Sequence, residues 1–191
     1  MKKALLSLIL LFIIQTIQSQ KQTKCLIETS LGKIEVELYD DKAPITVQNF
    51  LQYVDSTAYN NSSFFRTCTQ ENEAERTIKI QVIQGGNITE GSERAPIKIE
   101  TTAVTEILHE NGTISMARSE PNSATSSFFI CINDQPELDF GGKRNPDGQG
   151  FAAFGQVTKG MDVVLKIQSQ KNKNQQLLEP IQIHAITRVT N

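Results

Sequence analysis

The sequence has no tryptophan, three cysteines and two histidines in 191 residues, and each scarcity removes a class of chemistry. Three cysteines can neither staple a disulfide-rich miniprotein nor close a four-thiolate zinc site. His109 and His184 make no His-Cys or His-x-x-x-His spacing, so they read as a polar surface turn and a sheet position rather than as metal ligands or catalytic bases. Charge of either sign is nearly balanced, 19 basic against 21 acidic residues, and no Lys/Arg block is available to track a phosphate backbone. Nucleic acid is therefore not an expected partner. There is no Gly-x-Ser-x-Gly elbow and no phosphate-binding Gly-x-x-x-x-Gly-Lys-Ser/Thr loop, and Gly85-Gly86 lacks the other glycines of a dinucleotide fingerprint. Glu35 and Glu37 alternate along one strand, which marks a wet strand face better than a glycosidase pair. No metal and no cofactor are expected.

Long apolar stretches are also scarce. The one at Ala4 to Ile14 is too short to span a bilayer. Lys2 and Lys3 precede it and Gln15-Thr16-Ile17-Gln18-Ser19 follows, the layout of a secretory signal over residues 1–19. A cut after Ser19 leaves a domain at 20–191 and moves the net charge from −2 to −4, because both lysines leave with the signal. Cys25 follows Gln-Thr-Lys rather than small residues, so no lipid anchor is expected. The product reads as exported, periplasmic or secreted, with no membrane attachment after cleavage.

With 38% hydrophobic residues, and neither internal repeats nor low-complexity stretches, the remainder reads as one globular domain. Apolar residues alternate through Cys25 to Thr29 and Lys33 to Tyr39 around Ser30-Leu31-Gly32, which predicts a half-buried hairpin. Pro44 suits a first helical turn, and Val47, Phe50, Leu51 and Val54 then form one helical stripe. Further strands are expected at 63–67, 77–84, 96–100, 112–117, 127–132, 151–157 and 180–189. A second helix fits 160–170, with Met161, Val164 and Ile167 facing a sheet. Many short strands with two helices indicate a mainly β barrel or sandwich. Two irregular segments, Thr69 to Arg76 and Gly141 to Gly150, are expected to be surface loops. Spacing leaves open whether Cys25 and Cys68 pair, whereas Cys131, inside Phe128 to Ile132, reads as a buried small hydrophobe.

Six segments then stand in a telling order: Phe64-Phe65-Arg66, Val82-Ile83-Gln84-Gly85-Gly86, Gly112-Thr113-Ile114-Ser115-Met116-Ala117-Arg118, Ser126-Ser127-Phe128-Phe129-Ile130, Leu138-Asp139 and Phe154-Gly155-Gln156-Val157. Together they resemble the cyclophilin family of peptidyl-prolyl cis-trans isomerases, in particular its exported bacterial branch, over about residues 25–190. The resemblance implies a mainly β fold, a closed eight-stranded antiparallel β-barrel capped by two α-helices. It implies turnover of X-Pro bonds in proline-containing polypeptides, without a cofactor; no exposed apolar repeat in the sequence argues for assembly, so a monomer is expected. The family's catalytic arginine falls on Arg66 and its glutamine on Gln84. The proline pocket, on the outside of the barrel, falls on Val82, Ala117, Phe129, Leu138 and Phe151, with Arg118 and Ser127 near the backbone of the bound peptide.

Departures from the family pattern are Phe65 for a histidine, Glu137 for an aromatic residue, Gln81-Val82 for Phe-Met, and Phe151 for histidine or tyrosine. They imply altered sequence preference and weak binding of the family's cyclic-peptide inhibitor. The alternative is a prolyl-peptide-binding module or chaperone with weak turnover. An arginine at the centre of the site, with no histidine beside it, implies turnover nearly independent of pH from about 6 to 9.

Overall fold

The computed structural model describes residues 22–189, so the expected signal at 1–19 lies outside the described residues. Strands β1 (Gln22–Thr29) and β2 (Gly32–Tyr39) form the expected hairpin, with Ile27 opposite Ile34 and Cys25 opposite Val36. Their alternation has a direct cause: Cys25, Ile27, Ile34, Val36 and Leu38 are all fully buried on one face. The other strands are β3 (Ser63–Cys68), β4 (Val82–Gly85), β5 (Thr113–Met116), β6 (Phe128–Cys131), β7 (Ala152–Lys159), β8 (Asn172–Lys173) and β9 (Gln176–Arg188).

Pairing runs β1-β2-β7-β5-β6-β4-β3-β9, and β9 returns to β1. Eight antiparallel strands therefore close into a barrel with no free edge, and two-residue β8 merely extends the start of β9. Register shifts at Glu28/Thr29, Glu35/Val36, Phe64/Arg66 and Ile114/Ser115 supply the local bends that closure requires. Phe64, Ile83, Ile114, Phe128, Ile130 and Phe154 are fully buried in the main core. Phe50 and Tyr59 meet Phe128 edge-on, with centroids 5.5 and 5.6 Å apart.

Helix α1 (Pro44–Asp55) buries Val47, Phe50, Leu51 and Val54, the stripe read from the sequence, and packs on β2, β7 and β9. Helix α3 (Met161–Gln168) buries Val163, Val164 and Ile167 and packs on β2, β3 and β4. These are the two expected caps. A single additional turn, α2 (Thr102–Thr105), joins them.

Two strand expectations need correction. Residues 96–100 form no strand, only an isolated bridge from Ile97 to Ala124. Glu100 works at the start of α1 instead: its carboxylate accepts from the backbone N–H of Ile45 and Thr46 at 3.2 and 2.8 Å, where Ala43 provides no cap. The expected strand at 77–84 shortens to β4, because residues 77–81 leave the sheet to cover a buried carboxylate, Glu73. The three cysteines are buried and free, so Cys25 and Cys68 do not pair. Cys131 is fully buried as expected.

Candidate active site

Side chains of a barrel strand alternate between lumen and exterior, and the site is built on the exterior set. Across four strands the register places Arg66 opposite Gln84, Gln84 opposite Phe129, and Phe129 opposite Ser115. The bulge between Phe64 and Arg66 lets both residues satisfy their surroundings. Phe64 stays in the core, and Arg66 turns outward, half-buried.

On this exterior face Val82, Phe129 and Leu138 form a second apolar cluster, separate from the barrel core, with Ala117 and Phe151 packed against it. All five residues expected in the proline pocket are thus together. Phe129, 5% exposed, meets the Phe151 ring edge-on at 5.3 Å. Leu138 ends a short 3-10 turn, Pro136–Leu138, and its carbonyl accepts the Phe151 N–H at 2.9 Å, which ties two walls of the pocket together.

Arg66 is held by amides. Its Nη1 donates to Gln84 Oε1 at 2.8 Å, and Nε and Nη2 donate to Gln175 Oε1 at 3.0 and 2.5 Å. Among the described residues none of these partners is a carboxylate, so the positive charge is oriented without being neutralised. A guanidinium carries five N–H donors and three are engaged, which leaves one on each Nη for a ligand. Gln175 was not visible in the sequence as a site residue. It stands in the Asn174-Gln175 turn between β8 and β9 with φ +72°, in the glutamine-rich run Asn174-Gln175-Gln176.

Arg118 and Ser127 are placed at the rim. Arg118 is already committed: its side chain is 2% exposed, donates twice to Asp147 at 2.8 Å and once to the Gly150 carbonyl at 2.8 Å, and lies over the Phe151 ring at 5.2 Å. It clamps the loop that carries Phe151, with three of its five N–H donors engaged. Ser127 is half-buried and its carbonyl accepts from the Ala117 N–H at 2.8 Å.

His109 is the largest local departure from the sequence expectation. Instead of a surface turn it occupies a buried site, 1% exposed, stacked on Phe129 at 5.9 Å and 15°. Its Nδ1 lies 2.7 Å from Asp139 Oδ1 and its Nε2 2.9 Å from Ser115 Oγ. The three side chains form a hydrogen-bonded chain behind the pocket, with His109 and Ser115 buried and Asp139 partly exposed, and it backs Phe129 from the rear. Asp139 lies 30 residues away, and a sequence pattern cannot place it beside His109. Glu35 faces outward and pairs with Lys159 at 3.2 Å, as a wet strand face should. Among the described residues no group of His, Cys, Asp and Glu side chains could hold a metal ion.

The comparisons with known proteins agree with this geometry. A family model described as cyclophilin type peptidyl-prolyl cis-trans isomerase matches residues 24–188. A peptidyl-prolyl cis-trans isomerase of Acinetobacter baylyi is 43% identical over 145 residues, covering 73% of this chain and 69% of the relative. One from Streptomyces antibioticus is 41% identical over 150 residues, covering 76% and 82%. Isomerase B of Escherichia coli is 39% identical over 142 residues, covering 73% and 80%. The crystal structure of a Cryptosporidium parvum cyclophilin superposes with a TM-score of 0.71 at 22% identity, over 90% of this chain and 99% of that one, which shows the shared fold. A barrel of this topology, matched along nearly the whole described chain by the family and its enzymes, makes this protein a member of the cyclophilin-type peptidyl-prolyl cis-trans isomerases.

Proposed function

We propose that Arg66 is the catalytic group of this isomerase and that Val82, Ala117, Phe129, Leu138 and Phe151 seat the substrate proline. An X-Pro bond rotates through a twisted state in which amide resonance is lost, with a barrier of about 18 to 20 kcal/mol. Catalysis requires binding that twisted state better than either planar isomer. The prolyl nitrogen becomes pyramidal and its lone pair localises, so a fixed N–H donor favours the twisted state over the planar ones. The two uncommitted Arg66 donors, held beside an apolar pocket, suit this task. Gln84 keeps the guanidinium in place, and Arg118 acts on the rim through Phe151. Rotation about the X-Pro bond needs no proton transfer.

The observation that carries this reading is the register row Arg66–Gln84–Phe129, which sets the guanidinium one strand from the apolar wall with Gln84 between them, the remaining apolar residues packed around Phe129. Glu137 in place of an aromatic residue fits a different use of that wall: its Oε2 accepts the Lys143 N–H at 2.7 Å and so supports the rim loop rather than covering the groove. Titration with a short Ala-Pro peptide, followed by NMR, should shift the signals of Arg66, Phe129, Leu138 and Phe151. Shifts confined to another face of the barrel would contradict the assignment.

The substrates are proline-containing segments of polypeptides, met by a monomeric enzyme outside the cytoplasm, as in the exported bacterial branch. Support comes from the basic start and apolar run of residues 1–19. Terminal sequencing of protein from fractionated cells should find Gln20 first. An intact Met1 in a cytoplasmic fraction would contradict export.

A further inference from the structure

Two irregular segments of the sequence, Thr69 to Arg76 and Gly141 to Gly150, meet at one buried carboxylate. Glu73 sits inside the polar, acid-rich insert between Glu71 and Glu75, yet it is only 1% exposed. Its Oε1 and Oε2 accept from Arg144 at 2.5 and 2.8 Å, and Oε2 accepts the Ile80 N–H at 2.8 Å. Arg76 lies 3.6 Å from Oε1. One further donor reaches Oε1: the Gln175 side-chain amide, at 3.0 Å. The other end of that amide is the oxygen that holds Arg66.

The chemistry of these groups fixes the polarity of the chain. An ionised carboxylate only accepts and a guanidinium only donates. Between them, Gln175 satisfies both neighbours in one orientation alone, NH2 toward Glu73 and oxygen toward Arg66. Glu73 is kept in the acceptor state. Burial pushes its carboxyl up, but the hydrogen bonds from Arg144 and the Ile80 N–H outweigh it and hold it below the ordinary carboxylate range. Because Arg144 and Arg76 answer its charge, and a neutral amide separates it from Arg66, Glu73 orients the catalytic cation without quenching it.

We infer that Glu73 is a positioning residue for the isomerisation, acting on Arg66 through the Gln175 amide and joined by Arg144 to the loop that bears the pocket rim. The inference rests on the reading of Arg66 as the catalytic group. Replacing Glu73 by glutamine puts an NH2 group among the Arg144, Ile80 and Gln175 donors, so Gln175 is no longer assured of satisfying both position 73 and Arg66, and its hold on the guanidinium loosens. A pure packing role for Glu73 would change stability and leave kcat alone.

The test is a double-mutant cycle on the full mature chain, with kcat, KM and melting temperature read for Glu73→Gln, Gln175→Met and the pair, and Arg66→Ala as control. The expected result is a fall in kcat of about 5- to 10-fold in each single variant, little change in KM, and no further fall in the pair. The NMR signal of the Arg66 Nε–H should move in both singles. A folded Gln175→Met with the parent kcat would overturn the inference, even where Glu73→Gln fails to fold. So would an undiminished effect of Glu73→Gln in the Gln175→Met background. Full activity of Arg66→Ala would instead remove the reading of Arg66 itself, a distinct outcome.

Discussion

Replacing Asp147 by asparagine should loosen the proposed proline pocket from outside it. Asp147 keeps two hydrogen bonds on Arg118, whose side chain is 2% exposed, while Asp147 itself is 27% exposed. Exposed ion pairs contribute up to about 1 kcal/mol, whereas stranding one member of a fully buried pair costs about 3 to 5 kcal/mol. A buried guanidinium with a partly solvated partner lies between these limits, so Asp147→Asn should destabilise by about 1.5 to 3 kcal/mol. The Phe151 ring under Arg118 then loses part of its support, and KM should rise several-fold with a smaller change in kcat. Urea unfolding and peptide isomerisation measure the two effects. The Arg118 hydrogen bonds, and then the Gln149 N–H, hold the Asp147 carboxyl below the ordinary range. Its contribution is therefore present above the unfolded-state pKa of about 3.9 and lost as pH falls through the lower folded value. Parent and variant should differ by a constant amount between pH 7 and 5 and converge below about pH 4. A stability change under 0.5 kcal/mol (roughly the surface-substitution range) with unaltered KM would refute the clamp.

Phe129→Ala should destabilise by about 3 kcal/mol, the low end for a buried phenylalanine because the face opens to solvent, and weaken peptide binding more than Phe129→Leu. Calorimetry and NMR titration check this. Gly150 has φ +64° and a Cβ there would collide with the Leu138 carbonyl, so Gly150→Ala should cost about 2 kcal/mol or more in unfolding free energy and raise KM. The Cys25 and Cys68 thiols are pushed up by burial to about 12 and about 11, and Cys131 is fully buried, so a thiol reagent at about pH 8 should label none of the three until the protein unfolds. Turnover should vary little from about pH 6 to 9, since arginine stays charged throughout. A sharp break in that range, measured on the parent and on His109→Asn, would draw the histidine behind Phe129 into the reaction.

Periodicity made most of the barrel legible. The α1 stripe and the alternation of β1 and β2 follow from one face meeting the core, and both are local patterns. Arg66, Gln84 and the apolar wall were legible through ordered motifs, and the strand register brings them together. What escaped the sequence was polar and long-range. His109, in a His-Glu-Asn-Gly segment, looks solvated until Asp139 and Phe129 close over it. Glu73 looks like its neighbours Glu71 and Glu75, and only Arg144, from a loop 71 residues away, explains why that one is buried. Residues 96–100 have strand-like composition, but no neighbouring strand offers them a ladder.

The most direct measurement is the isomerisation rate of short X-Pro peptides by the chain from Gln20 and by a folded Arg66→Ala variant, with peptide affinity read alongside. The account predicts a fall in kcat/KM of about 100-fold or more, the scale for losing an oriented transition-state donor, with affinity kept within a few-fold. A folded Arg66→Ala protein that turns peptides over as fast as the parent would contradict it.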